Sequence, residues 1–225
     1  LGVIDYDQTL RHPVGVRVMP DTGQLHGAEA VFGRIVELLG FMSATVVNRR
    51  MWVEACRTHP VLDYSNLYIQ VYIIGCMLGA SGTWGVLNVP CVGYRTANDQ
   101  FLSSVGWFRR LEIDVMSYDQ IFHGLFPGRP ATIAAVSSRV LATHVMARLF
   151  NAKSGRVGTR ELLQAAALLR KMYGRSDLFW RKAVPVLATP AWLLRFARGQ
   201  YQKHSPRSGT RRAKALRGGA LGLAR

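Results

Sequence analysis

The sequence predicts an α/β chain whose strands are confined to roughly its first hundred residues and whose remainder is helical. Three observations carry this. Of 225 residues, 49% are hydrophobic and only 19% charged, enough apolar material to fold most of the chain around a core. Short β-branched and apolar runs recur as far as Tyr94, interrupted by segments of helical period. From Gly106 onward the chain reads as mainly helical, and no internal repeat is present.

Taken in order, residues 1–4 form an apolar run ending in Asp5-Tyr6-Asp7, and residues 14–19 read as a short strand. Residues 29–39 place Val31, Phe32, Ile35, Val36, Leu38 and Leu39 at helical spacing before Gly40, an amphipathic helix with a glycine stop. Residues 41–47 are β-branched and apolar enough for a buried strand, which Asn48-Arg49-Arg50 would turn into a short helix over 51–56. Ser65 is predicted to cap a helix over 66–78. Residues 83–94 contain Pro90, which cannot donate a ladder hydrogen bond, so an edge or bulged strand is expected there, then a polar loop over 95–99. Helices follow over 107–125, over 131–150 after Pro130, and over 159–173 with Thr159 as cap and Gly174 as stop. Residues 177–198 are a proline-interrupted amphipathic segment. The expected division is 1–103, a helical extension over 104–199, and a basic tail over 200–225.

The net charge of +16 is unevenly placed: Asp177 is the last acid, and residues 178–225 hold eleven Lys/Arg. Trp180, Trp192 and Phe196 lie in or beside this basic region, a composition that suits an anionic membrane surface, a solvated tail or nucleic acid. A nucleic-acid module should spread its cations over a folded face with stacking aromatics, whereas these concentrate in the tail, so nucleic acid is not the expected partner. The apolar stretch 183–194 is too short for a membrane span and contains Pro185 and Pro190, and no transmembrane helix is expected. Cys56, Cys76 and Cys91 sit among apolar neighbours without metal-ligand spacing, which predicts buried thiols in a reducing compartment. The chain opens without an initiator Met, which suggests a piece of a longer protein.

Dinucleotide, P-loop, nucleophile-elbow and zincin signatures are absent from the sequence, and its six histidines are scattered. Asp5 and Asp7 at the end of a strand could hold a divalent ion against a diphosphate, or simply form a solvated turn. Asp63, the lone acid between Glu54 and Asp99, could act as a general base or serve as a loop or capping aspartate. Gln70 is either a satisfied core amide or a group aimed into a cleft. Arg95 and Asn98, just past a strand, offer donors and an amide to a ligand or to their own loop.

In order and spacing, four pieces resemble the C-terminal half of the family 2 inverting glycosyltransferases, nearest the abequosyltransferase-like group of bacterial surface polysaccharide synthesis. These are residues 38–52 with Ser43, the Arg49-Arg50 pair and Trp52; residues 66–71 with Gln70; residues 89–98 ending in Arg95 and Asn98; and residues 116–121. The resemblance spans about residues 35–125. It implies a GT-A fold, here its acceptor-side part over 1–103, a nucleotide-sugar donor, a saccharide or lipid-linked acceptor, and a divalent cation (Mg2+ or Mn2+). The ion's D-x-D motif and the donor half are expected upstream of residue 1, since Asp5 and Asp7 lie too close to Ser43 for the family's metal motif. It further implies Asp63 as catalytic base, although the family's usual Glu-Asp pair is here Leu62-Asp63, with Ser43, Gln70, Arg95 and Asn98 lining the substrate cleft. Cytoplasmic placement at the inner face of the bacterial membrane, through residues 178–225, completes the expectation. The rival reading is a basic, non-enzymatic nucleic-acid-binding or adaptor protein, and a third is an acceptor-binding remnant without turnover.

Overall fold

A computed structural model describes residues 1–204 apart from 18–19, 65, 97–104 and 156. It is mixed α/β and mainly helical. Strand β1 (Gly2–Tyr6) runs antiparallel to β2 (Pro13–Val16) and parallel to β5 (Pro90–Arg95), giving a three-stranded sheet in the order β2-β1-β5. Strand β3 (Gly23–His26) pairs antiparallel with β4 (Thr83–Val86) in a separate two-stranded ribbon.

Helix α1 (Gly27–Leu39) starts where Gly27 adopts φ +76°, close enough to Ala80 that an added Cβ would lie 2.5 Å from the Ala80 carbonyl oxygen. Only glycine fits both the conformation and the gap. Helices α2 (Arg49–Thr58), α3 (Ile69–Leu78), α4 (Trp107–Leu125), α5 (Pro130–Ser154) and α6 (Thr159–Tyr173) follow, then the short α7 (Val184–Ala188) and α8 (Ala191–His204). Within α5, residues Leu141–Val145 widen into a π-helical turn.

One core runs through α1, α3, α4, α5 and α6. Phe32 is wholly buried and meets the edges of Phe122 and Phe126, with ring centroids 6.1 and 5.8 Å away, each such pair worth about 0.5–1.5 kcal/mol beyond its area. Among the described residues α5 is the one helix long and apolar enough to cross a membrane, and its stripe Val136, Val140, Leu141, Val145 and Leu149 is buried in this core.

The helices predicted over 107–125 and 159–173 are present with those bounds, except that Gly158, and not Thr159, occupies the cap position. The predicted strand over 41–47 is not formed. Residues Met42–Ala44 make a 3-10 turn, and the extended stretch after it finds no ladder partner, because Asn48 turns the chain into α2 by accepting the Arg50 and Met51 amides at 3.0 and 3.2 Å. Arg49 and Arg50 therefore belong to the first turn of the helix. The single strand predicted over 83–94 is two strands in different sheets: Asn88 bonds Thr22 beside β3, while the Val89 carbonyl accepts the Gly2 amide beside β1. Cys56 and Cys76 are half-buried and Cys91 is exposed, so the expectation of three buried thiols does not hold.

Candidate functional site

Gln70 sits in the first turn of α3, buried, and its amide Nε2 donates to the Gly40 carbonyl at 3.3 Å. Gly40 ends α1, and the residues after it form the turn that carries Ser43, which is exposed. Phe41 in that turn packs edge-on against Tyr94 of β5 at 5.3 Å. The Arg17 guanidinium lies over both rings, 4.4 Å from Phe41 and 4.5 Å from Tyr94, and this cation–π clamp joins the turn to the sheet. Arg95, next along β5, is exposed at the strand end opposite Tyr6. The structure thus gathers Ser43, Gln70 and the Arg95 strand around one turn. Asn98 lies outside the described residues.

Asp63 stands elsewhere, on the 3-10 turn Val61–Tyr64, exposed. Its backbone carbonyl accepts a 2.8 Å bond from Gln120 Nε2 of α4, and Gln120 Oε1 in turn accepts from Asn66 Nδ2 at 3.3 Å. Tyr64 stacks on Tyr72 of α3 at 3.7 Å. The turn is therefore pinned from two sides beside an open groove of about 1150 Å³ that runs along α4. Asn66, Arg109, Glu112, Asp119, Gln120 and His123 supply its polar lining, and Leu67 and Met116 its exposed apolar patch.

A second, more enclosed cleft of about 200 Å³ opens between α1, the residues before α2, and β4. Neither cleft is lined by Ser43, Asp63, Gln70 or Arg95.

Asp5 and Asp7 both have protein partners at the β1 end. Asp5 accepts from Arg17 Nε at 3.2 Å. Asp7 organises the β1–β2 connection by accepting from the Thr9 hydroxyl at 2.8 Å, from the Arg11 and His12 amides, and by pairing with His12 Nδ1 at 2.8 Å. The His12 contact foremost holds the Asp7 carboxyl well below the usual carboxylate range. Among the described residues no group of three His, Cys, Asp or Glu side chains could hold a metal ion.

The most organised polar cluster was not singled out in the sequence. Asp114 on α4 is fully buried, with Tyr68 Oη at 2.7 Å, Arg148 Nε at 2.5 Å, His144 Nε2 at 3.0 Å and Arg110 Nε at 3.6 Å. Burial by itself would raise its carboxyl, but His144, Arg148 and Arg110 outweigh that and hold it below the usual range. The neighbouring Tyr68 and Tyr118 hydroxyls are pushed well up, chiefly by burial. The signal was present in the sequence: Asp114 falls on the apolar face Leu111, Val115, Tyr118 and Phe122, with Arg110 one turn earlier and His144 and Arg148 spaced i, i+4. With Arg110, Arg148 and His144 around it, the carboxylate acts as an internal tie between α3, α4 and α5.

No protein-family model matches the chain, and neither a curated protein nor a solved structure matches it.

Proposed function

We propose that the chain is the acceptor-side portion of an inverting glycosyltransferase of GT-A type, moving a sugar from a nucleotide-sugar to a saccharide or lipid-linked saccharide in surface polysaccharide synthesis. The ordered motif resemblance over 35–125 raises this reading. The observation that carries it is the Asp63 turn, held by Gln120 beside an open, largely apolar groove whose polar lining supplies amide, carboxylate, guanidinium and imidazole groups suited to sugar hydroxyls.

In this reading the exposed Asp63 carboxylate takes the proton of an acceptor hydroxyl as its oxygen bonds to the anomeric carbon. The bond from that carbon to the diphosphate breaks, and the diphosphate departs with the electron pair. Gln120 and Asn66 keep the base from shifting, and Gln70, bonded to the Gly40 carbonyl, holds the turn that presents Ser43 beside the Arg95 strand. Asn98 follows that strand in the sequence. The divalent cation of the family would neutralise the diphosphate; its ligands and the donor pocket belong, in this reading, to sequence ahead of residue 1.

A place at the inner face of the membrane is supported by α8, where Trp192 and Phe196 are exposed one turn apart beside the exposed Arg195 and Arg198. The test is transfer from a panel of nucleotide-sugars to lipid-linked saccharides by the full-length protein. Turnover that falls by two orders of magnitude or more in Asp63→Asn supports the reading, and absence of transfer and of donor hydrolysis across the panel overturns it.

A further inference from the structure

We propose that the enclosed cleft behind α2 is a binding site for a single-chain anionic amphiphile, its apolar tail in the cleft and its phosphate-type head on Arg49 and Arg50. The inference stands apart from the transferase reading, because it concerns a different cleft and a binding event alone.

The cleft is walled by hydrocarbon from five segments: Leu38 of α1, Val47 of the stretch before α2, Met51 of α2, Met77 of α3, and Trp84 and Leu87 on the β4 side. Its mouth leaves apolar surface in water, with Val46 77% exposed, Met51 44% and Leu87 41%. A concave apolar hole with an apolar lip favours a hydrocarbon ligand over water. Two methionines in its wall suit a flexible chain, since unbranched thioethers adapt to irregular contours.

The head group follows from charge. Met51 and Met77 also line an adjoining cleft that contains Arg50, and Arg50 shares a further one with Arg49, Val53, Glu54 and Arg57. Met51 and Met77 are thus a wall shared by the apolar hole and the cleft that holds Arg50, and in the proposed complex the head group reaches the guanidiniums over these two side chains. Glu54 is the one acid lining these clefts, and it is taken by Arg57 at 2.9 Å. Arg49 and Arg50, both exposed, have no ion pair among the described residues. Asn48 already caps the α2 amides, so the anion is held by the guanidinium pair, whose planar forks match phosphate oxygens.

The structure also supplies a plug. Gly85 borders the cleft, and a Cβ built there meets nothing within 4 Å, so Gly85→Leu adds bulk at the border of the cleft without a clash at its Cβ. Leu87→Asp at the exposed lip is the second variant.

The experiment is calorimetric titration of the full chain with dodecyl phosphate below its micelle concentration, against dodecyl maltoside and butyl phosphate. One-to-one binding of dodecyl phosphate, at least tenfold tighter than either comparison ligand, is expected. Arg49→Ala/Arg50→Ala should abolish the preference over the maltoside, and Gly85→Leu and Leu87→Asp should each weaken dodecyl phosphate at least tenfold, with unfolding transitions confirming that each variant is folded. Equal affinity for the phosphate and the maltoside, indifference to both plugging variants, or binding of phosphatidylglycerol vesicles without binding of monomeric dodecyl phosphate overturns the proposal.

Discussion

Tyr68 donates its hydroxyl to Asp114 Oδ1 at 2.7 Å, and that bond ties the entry of α3 to the middle of α4 across 46 positions of sequence. Arg148 and His144 reach the other carboxylate oxygen from α5. Three helices thus meet on one buried charge, and removing the charge should loosen all three. Asp114→Asn leaves Arg148 facing a neutral amide and is expected to cost about 3 kcal/mol, the low end for a broken buried pair because the Arg148 side chain keeps some contact with solvent. Urea unfolding of the two proteins measures it.

The same carboxyl sets an acid limit. Its folded-state value lies below the unfolded value of about 3.9, so its stabilisation is complete above roughly pH 5 and is lost as pH falls through the folded value. The stability difference between wild type and Asp114→Asn should therefore shrink as pH falls below about 4. Asp7 is depressed in the same direction, so the series belongs in an Asp7→Asn background. A difference that stays constant down to pH 2 would contradict the assignment.

Two glycines of α1 should respond in opposite ways to alanine. Gly27 combines φ +76° with the Ala80 carbonyl in its path, and Gly27→Ala should destabilise by about 1–3 kcal/mol. Gly33, exposed within the same helix with nothing within 4 Å of an added Cβ, should gain about 0.5–1 kcal/mol on the same change. Thermal unfolding of the pair separates local conformation from helix propensity.

In the transfer assay, Asp63→Asn should lower kcat by about 10²–10⁴-fold with little change in acceptor KM. Asp7→Asn, whose carboxylate serves its own hairpin, should leave kcat within about twofold, because the hairpin stands outside the groove. A collapse of activity in Asp7→Asn alone would move the chemistry to the β1 end.

Attachment to anionic vesicles is better probed by point changes than by truncation at residue 178, since Phe179 and Ala183 are buried in the core. Trp192→Ala/Phe196→Ala removes two exposed rings from α8 and should cut partitioning into phosphatidylglycerol vesicles by tenfold or more. Flotation with vesicles reads it, and unchanged partitioning would leave α8 without that role.

Helices whose apolar repeat is long and punctuated were legible in the sequence. The span 107–125 stands between Gly106 and Phe126, and 159–173 between Gly158 and Gly174. Residues 41–47 misled because β-branched composition records a preference for extended backbone but not whether a neighbouring strand is present to pair. Pro90 signalled an edge or bulged strand, and β5 is an edge strand with a register shift beside Pro90, but the exchange of sheets before it depends on β1 and β3, dozens of residues away. The site divides likewise. Gln70 is engaged in a long-range bond to Gly40, and Asp63 is anchored through Gln120; both partners lie outside any local window. Asp114 was written into the helical repeat, yet its meaning emerges only once α5 delivers His144 and Arg148.

The wide turn at Leu141–Val145 acts as a phase shifter within α5. Each residue advances a helix by about 100°, so drawing that turn back to ordinary pitch would rotate everything beyond it by a comparable angle. The half carrying Val136 and Val140 would stay seated on the core, while Arg148 would swing off the carboxylate it neutralises. One residue of slack in the backbone thus lets a single rod present grease on one side and a counter-ion at its far end.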